Sequence, residues 1–344
     1  MRHTRSIVLA AFAAATLIAI AAPAQAGDEA RAGTAGAGIL QVPVGPRGTA
    51  LSGAVVANAT GVEALYWNPA GITAVEGTEA MFSTMDYLIE SRIHFVGVTH
   101  TFENIGSFGV SAKALSFGDI AVTTEEAGGP TGEIYSPTFS VIALSYGRQV
   151  SERAHFGLSA QLVSESVRSV GATGVAFDLG FQYNSPWKGV RFGAVMKNFG
   201  PKMSYEGSDF GQTIQTPDSD PSASGRTLVT ESASYDLPAS FQLGAVYSPL
   251  GSDEMHKLDI EGAFQSNTFA TDAYRLGAEY GWQDQLFLRA GIMGREDNDD
   301  VWNATFGAGV HFPLGETDLM VDYALQTTSD FFDDLNLISL KVGF

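Results

Sequence analysis

The sequence predicts an all-β fold: a transmembrane antiparallel β-barrel of about 14 strands, with a small-residue helical plug, or hatch, at its amino-terminal end. Three observations carry this. The chain closes on Ile338, Leu340, Val342 and Phe344 at a spacing of two, with Ser339, Lys341 and Gly343 on the opposite face. The same two-residue period returns in segment after segment upstream. The chain also opens like a secretory signal peptide: Arg2 and Arg5, an apolar run over 7–22, and a small-x-small cleavage site at Ala24-Gln25-Ala26.

Composition agrees. The chain is 45% hydrophobic, 11% aromatic and only 17% charged, with 39 glycines and no cysteine. Past the signal, no apolar run approaches the roughly 20 residues of a membrane helix. A barrel wall spreads its apolar residues over alternate positions instead. The formal charge is −19, and losing Arg2 and Arg5 with the signal leaves −21. So acidic a chain excludes nucleic acid, which needs clustered Lys and Arg. The missing cysteine excludes a lipoprotein anchor, disulfides, thiolate metal sites and cysteine nucleophiles.

Taken in order, residues 1–26 are the signal peptide, 27–78 the periplasmic segment and plug, and 79–344 the barrel. Strands are expected near 79–90, 92–103, 106–117 and 136–148, several of them apolar on both faces. Phe95, Val96 and Val98 do not separate, nor do Val141, Ile142 and Leu144. Strands covered on both sides read this way, so something apolar is expected inside this half. Cleaner apolar faces follow: Phe156, Leu158, Ala160, Leu162; Val175, Phe177, Leu179, Phe181, Tyr183; Val190, Phe192, Ala194, Met196; Phe241, Leu243, Ala245, Tyr247. The last third alternates best. Leu258, Ile260 and Phe264 oppose Asp259, Glu261 and Gln265, and Tyr274 through Trp282 oppose Arg275 and Glu279. Leu286, Leu288 and Ile292 oppose Arg289; Trp302, Phe306 and Val310 oppose Thr305; Leu319, Val321 and Tyr323 oppose Asp322. Connections near 118–135, 168–173, 199–237, 268–272, 295–300 and 329–334 are mostly longer than those near 103–105, 149–154, 185–188, 283–284 and 313–317. That places long loops at one barrel end and short turns at the other. Tyr183, Tyr247, Tyr280, Trp282 and Trp302 near strand ends suit interfacial girdles.

Residues 45–72 do not alternate. They are rich in Ala and Gly, and Asn68-Pro69 ends a short helical turn over 64–67, because Pro69 disfavours helix at Asn68. Arg47, Gly53, then Ala64-Leu65-Tyr66-Trp67-Asn68-Pro69-Ala70-Gly71 resemble the amino-terminal signature of the PorV/PorQ outer-membrane proteins, within the FadL-like group of fourteen-stranded barrels. The Asn68-Pro69-Ala70 triplet matches that group's hatch. The close match covers about 30 residues of the sequence. The chain departs at Ser52, where a second glycine is usual, and at Thr60-Gly61, where acidic residues are common.

The resemblance implies a non-enzymatic barrel that assists secretion or surface delivery of proteins, as a type IX secretion-like partner contacting cargo through loops 118–135 and 199–237. The alternative is a FadL-like channel for hydrophobic small molecules such as long-chain fatty acids. The expected location is the Gram-negative outer membrane. Expected partners are its lipid and lipopolysaccharide, the insertion machinery, secreted cargo or secretion-system proteins, or a hydrophobic small molecule; no cofactor is expected. Leu340, Val342 and Phe344 form the expected insertion signal. Lys113, Asp178, Arg191, Lys197, Asp259, Glu261, Arg275, Glu279, Arg289, Asp322 and Lys341 should face the lumen as a mixed-charge network, since buried charge is costly unless paired. The acidic runs 296–300 and 330–334 lack calcium-loop spacing and read as solvated loop tips, with Phe331 and Phe332 as exposed contacts. His94, His100, His155, His256 and His311 fall in no metal-protease or nucleophile-elbow pattern, so no catalytic residue is expected.

Overall fold

The computed structural model describes residues 33–88, 91–124, 128–214, 226–250, 255–295, 303–328 and 333–344. The expected signal peptide over 1–26, the 296–300 run, Trp302, Asp330, Phe331 and Phe332 lie outside them. The described residues form a closed antiparallel barrel of fourteen strands. The strands are β1 (Thr78–Asp86), β2 (Arg92–Phe102), β3 (Gly106–Ser116), β4 (Thr138–Ser151), β5 (Ala154–Val167), β6 (Val170–Asn184) and β7 (Val190–Phe199). The second half is β8 (Ser240–Tyr247), β9 (His256–Asn267), β10 (Ala273–Trp282), β11 (Leu286–Arg295), β12 (Asn303–Leu314), β13 (Thr317–Gln326) and β14 (Leu335–Gly343). Each pairs with its neighbours in sequence, and β14 closes on β1 with Ser339 opposite Ser83.

Lipid and lumen explain the period of two. Ile338 and Leu340 face out, while Leu337 and Ser339 are buried. A closed barrel leaves no strand edge unpaired, and its apolar exterior suits hydrocarbon. Phe95, Val96 and Val98 do separate: Phe95 is 4% exposed and points in, whereas Val96 and Val98 are 49% and 43% exposed. Val141 likewise points in, against Ile142 and Leu144 outside. The two-sided apolar character is real, because an apolar plug covers the inner side of this half. Tyr247, Tyr280 and Trp282 are outward and exposed at the short-turn end. The expected cost of Leu288→Arg, at a mid-strand outward position 63% exposed, is about 2–4 kcal/mol. Loss of the heat-modifiable gel band should report it, and normal assembly would refute the face assignment.

Short turns show their chemistry. Gln283 and Asp284 both hold φ near 53°, the left-handed pair that a two-residue hairpin needs. Two expectations are corrected. The connection placed at 168–173 is only the turn Arg168-Ser169, because β5 and β6 continue pairing to Val167 and Val170. Inward Gly174 makes room there for Met203. The end of β1 falls at Asp86 rather than near 90, where Tyr87 and Ser91 close a bend. At the long-loop end, hairpins Ile120–Thr124 with Gly129–Tyr135, and Gly211–Ile214 with Arg226–Val229, rise from two connections.

The amino-terminal segment threads the lumen. Gly36 donates its N–H to the Asp236 carbonyl at the long-loop end, and Thr101 bonds Val75 near the short-turn end. Between them run short helical turns at Gly38–Gln41, Pro46–Ala50, Ala54–Ala57, Gly61–Glu63, Ala64–Trp67 and Pro69–Ala74.

Candidate functional site: the plug, its charge lock and the cavity above it

The plug fits because the wall is built of glycine where the two meet. Gly97, Gly109, Gly147, Gly157, Gly180, Gly193, Gly244, Gly277, Gly291 and Gly307 stand on ten different strands. An added Cβ on any of them would fall within about 3 Å of a plug atom. Gly157 is opposite Gly147 on one side and Gly180 on the other, so the row is continuous across three strands. Wall backbone and plug backbone therefore touch directly, a close approach that only glycine permits.

Every plug residue singled out from the sequence has a task in this contact. Asn68 is fully buried; its side chain donates to the carbonyls of Val56 (2.7 Å) and Phe181 (3.1 Å) and accepts from the Ala70 N–H. It thereby caps the turn Pro69–Ala74 and ties it to β6. Pro69 and Ala70 lie on Gly157 and Gly180, and Gly71 lies against the Ala59 carbonyl. Trp67 covers Gly48 and Gly53 and donates to the Val44 carbonyl at 3.1 Å. Tyr66 meets Trp67 edge-on at 4.9 Å between centroids and donates to the Gln41 carbonyl. The two departures from the family pattern also make sense. Ser52 holds φ 52°, a conformation that favours glycine, and its hydroxyl pairs with Thr305 Oγ1 at 2.8 Å. Gly61 holds φ 58° and sits where Glu79 accepts the Val62 N–H at 2.9 Å.

The lumen charges separate into two groups. Along β7 and β9–β13 a chain of ion pairs locks the plug. Arg47 grips Glu279 with two bonds (Nε to Oε2 2.9 Å, Nη2 to Oε1 3.0 Å) and donates to the Asn58 carbonyl. Arg289 joins the same Glu279 oxygen to Asp322, both at 2.5 Å. The plug's Asn58 donates to Glu261 (2.7 Å) and Asp259 (3.1 Å), and Arg191 completes the chain on Asp259 at 3.1 Å. The second group surrounds Tyr66. Lys197 Nζ stands 3.6 Å from the ring centroid and Lys113 Nζ 4.7 Å, with Asp178 between the β3 and β7 strands that carry them. Lys113 also donates to the Val42 carbonyl. Asp178 accepts the Asn198 N–H at 2.7 Å, where a β-bulge turns both Lys197 and Asn198 inward. Lys341 points into the lumen apart from both groups, and Arg275 has no hydrogen bond or ion pair among the described residues.

Sequence reasoning missed three features. One is the glycine row; its signal was there, as glycines recurring on the inward parity of successive strands. The second is the bond of Tyr205 (2.7 Å) and Tyr235 (2.8 Å) to buried Glu165, which ties both tyrosines to β5. Burial, and then the bond to Glu165, push the Tyr205 hydroxyl up to about 12 and raise Tyr235 as well. The third is a cavity of about 200 Å³ above the plug at the long-loop end. Leu40, Pro43, Tyr66, Trp67 and Met293 supply its apolar side, while Lys197, Arg275 and Arg295 face it with glutamine and hydroxyl side chains. Among the described residues no carboxylate lines it. A smaller void of about 20 Å³ beside Tyr66, Lys113 and Asp178 shares Leu40, Tyr66, Lys197 and Asn198 with it.

Among solved structures, the chain is similar to CymD, described as a monoaromatic hydrocarbon channel: 16% identity, TM-score 0.56, covering 88% of this chain and 98% of that one. It is also similar to the toluene transporter TodX of Pseudomonas putida (14%, TM-score 0.56, 87% and 97%) and to a FadL homologue of Pseudomonas aeruginosa (11%, TM-score 0.53, 88% and 98%). No family model and no curated protein matches the sequence. The likeness establishes the FadL-type barrel fold. The narrower PorV/PorQ resemblance rests on the plug segment alone.

Proposed function

We propose that the protein is an outer-membrane channel for hydrophobic small molecules with an anionic head, long-chain fatty acids being the fitting class. One observation carries this reading. In a chain of net charge −19, the cavity above the plug presents, among the described residues, three cations and no carboxylate beside an apolar wall. A carboxylate head would meet Lys197 and Arg275, neither of which is in an ion pair among the described residues, and a hydrocarbon tail would lie along Leu40, Trp67 and Met293. Charge-assisted bonds of this kind are about twice as strong as neutral ones. The similar folds of hydrocarbon channels support the transport class over the secretion-partner reading. Passage to the short-turn end requires the plug to yield near Tyr66, which stands between the cavity and the smaller void.

The test is uptake of radiolabelled oleate by a strain lacking the gene. Wild-type protein should restore it, while Lys197→Glu with Arg275→Glu should leave uptake low at normal barrel levels. Undiminished uptake in the deletion strain, with surface delivery of secreted proteins lost instead, would overturn this reading in favour of export.

A further inference from the structure

We propose that the outer wall of the barrel holds one phospholipid, an acyl chain lying in a groove across β4–β8 and the phosphodiester on Arg148. The groove is a concavity of about 520 Å³ on the outward face. Its sides are Tyr146, Phe156, Leu158, Leu179, Phe181 and Met196, and its floor reaches the backbone of Gly157 and Gly180. Those two glycines are where the wall lies flat on Asn68, Pro69 and Ala70. Because both point inward, backbone alone floors the groove between the outward side chains. The rings of Phe156 and Phe181 pack at 4.8 Å between centroids, and small Ala194 leaves the groove open along β7. Nearly all the surface it offers is carbon, so only an apolar chain gains by filling it.

What fixes the head is Arg148. It lies on β4 opposite Phe156, one step beyond the Tyr146 ring toward the turn at 152–153, and it lines the end of the groove. Its side chain has no hydrogen bond or ion pair among the described residues; Glu76 and Glu103 share the neighbouring rim depression without reaching it. Arg92, another outward cation, is by contrast paired with Asp86 at 2.8 Å. A guanidinium at the edge of a lipid-facing strand extends toward the interface and needs an anion there. Its planar fork matches a phosphate with two parallel bonds. An apolar trough ending in an unpaired arginine is complementary to a phospholipid at both ends.

The experiment uses the full mature protein in mild non-ionic detergent, titrated with dioleoylphosphatidylglycerol and read by native mass spectrometry. Wild type should retain one lipid. Arg148→Glu, which removes the phosphate partner, and Ala194→Phe, which fills the trough with a side chain that still suits lipid, should each weaken retention about tenfold. Arg92→Glu should not. An unchanged heat-modifiable band shows that each variant is folded. Equal retention by wild type and the Arg148 and Ala194 variants would overturn the proposal, as would equal loss in Arg92→Glu. So would retention of oleate but not the phospholipid, or a dimer abolished by Ala194→Phe in place of the lipid signal.

Discussion

A methyl group at position 157 is expected to unseat the plug. In Gly157→Ala the new Cβ would stand 2.1 Å from the Pro69 carbonyl carbon and 2.3 Å from the Ala70 nitrogen. Both are backbone atoms, inside a turn held by Asn68, so no rotamer change relieves the clash. Overpacking of this kind costs about 1–3 kcal/mol and occasionally more. The barrel itself has no reason to fail, since its ladder bonds are untouched. The expected phenotype is therefore a folded, heat-modifiable barrel whose plug is displaced: higher conductance in planar bilayers and greater entry of large antibiotics. The same change at Gly262 is the control. There the nearest atom is Leu276 Cδ2 at 3.5 Å, ordinary contact, and nothing should happen. A closed, wild-type channel in Gly157→Ala would show that the wall and plug are not in the contact described.

That contact also marks the limit of what the sequence could reveal. The outer wall was legible because lipid imposes one rule on every strand: alternate side chains must be apolar. Val96 and Leu288 obey it with no knowledge of any neighbour. Apolar Phe95 and Val141 on the inner parity even announced that something apolar lay inside. The lumen follows no uniform rule. Arg275 and Arg289 both read as inward charges, but one ends in an ion-pair chain and the other on a cavity. The difference depends on which plug residue arrives opposite each strand. Arg47 finds Glu279 across 232 residues of sequence, a distance at which spacing carries no signal. Of the motif at Tyr66 through Gly71, the sequence told that Asn68-Pro69 would end a helical turn. It could not tell that Asn68 would bond β6 as well.

Arg47→Met should loosen the plug from the opposite side of the lumen, and by more. Arg47 is the plug's only cation in the ion-pair chain that runs from Arg191 through Asp259, Glu261, Glu279 and Arg289 to Asp322. Removing it keeps the side chain's bulk but leaves Glu279 with one partner in place of two, and Glu261 facing Glu279 with no charge between them. Breaking one member of a buried ion pair costs about 3–5 kcal/mol, because the surviving charge stays buried. By comparison, Arg92→Ala severs a pair whose side chains are 59% and 68% exposed, and such exposed pairs contribute only about 0–1 kcal/mol. Urea unfolding followed on gels should therefore separate the two variants clearly. The double variant Arg47→Met with Glu279→Gln should recover part of the loss, since neutralising the abandoned carboxylate relieves its desolvation and its repulsion from Glu261. If Arg47→Met behaves like Arg92→Ala, the plug is held by its glycine-lined packing and the ion pairs are incidental. If it behaves as expected, the plug has two kinds of attachment: glycine-lined packing that runs from β2 round to β12, and the bonds of Arg47 and Asn58 to the carboxylates of β9 and β10.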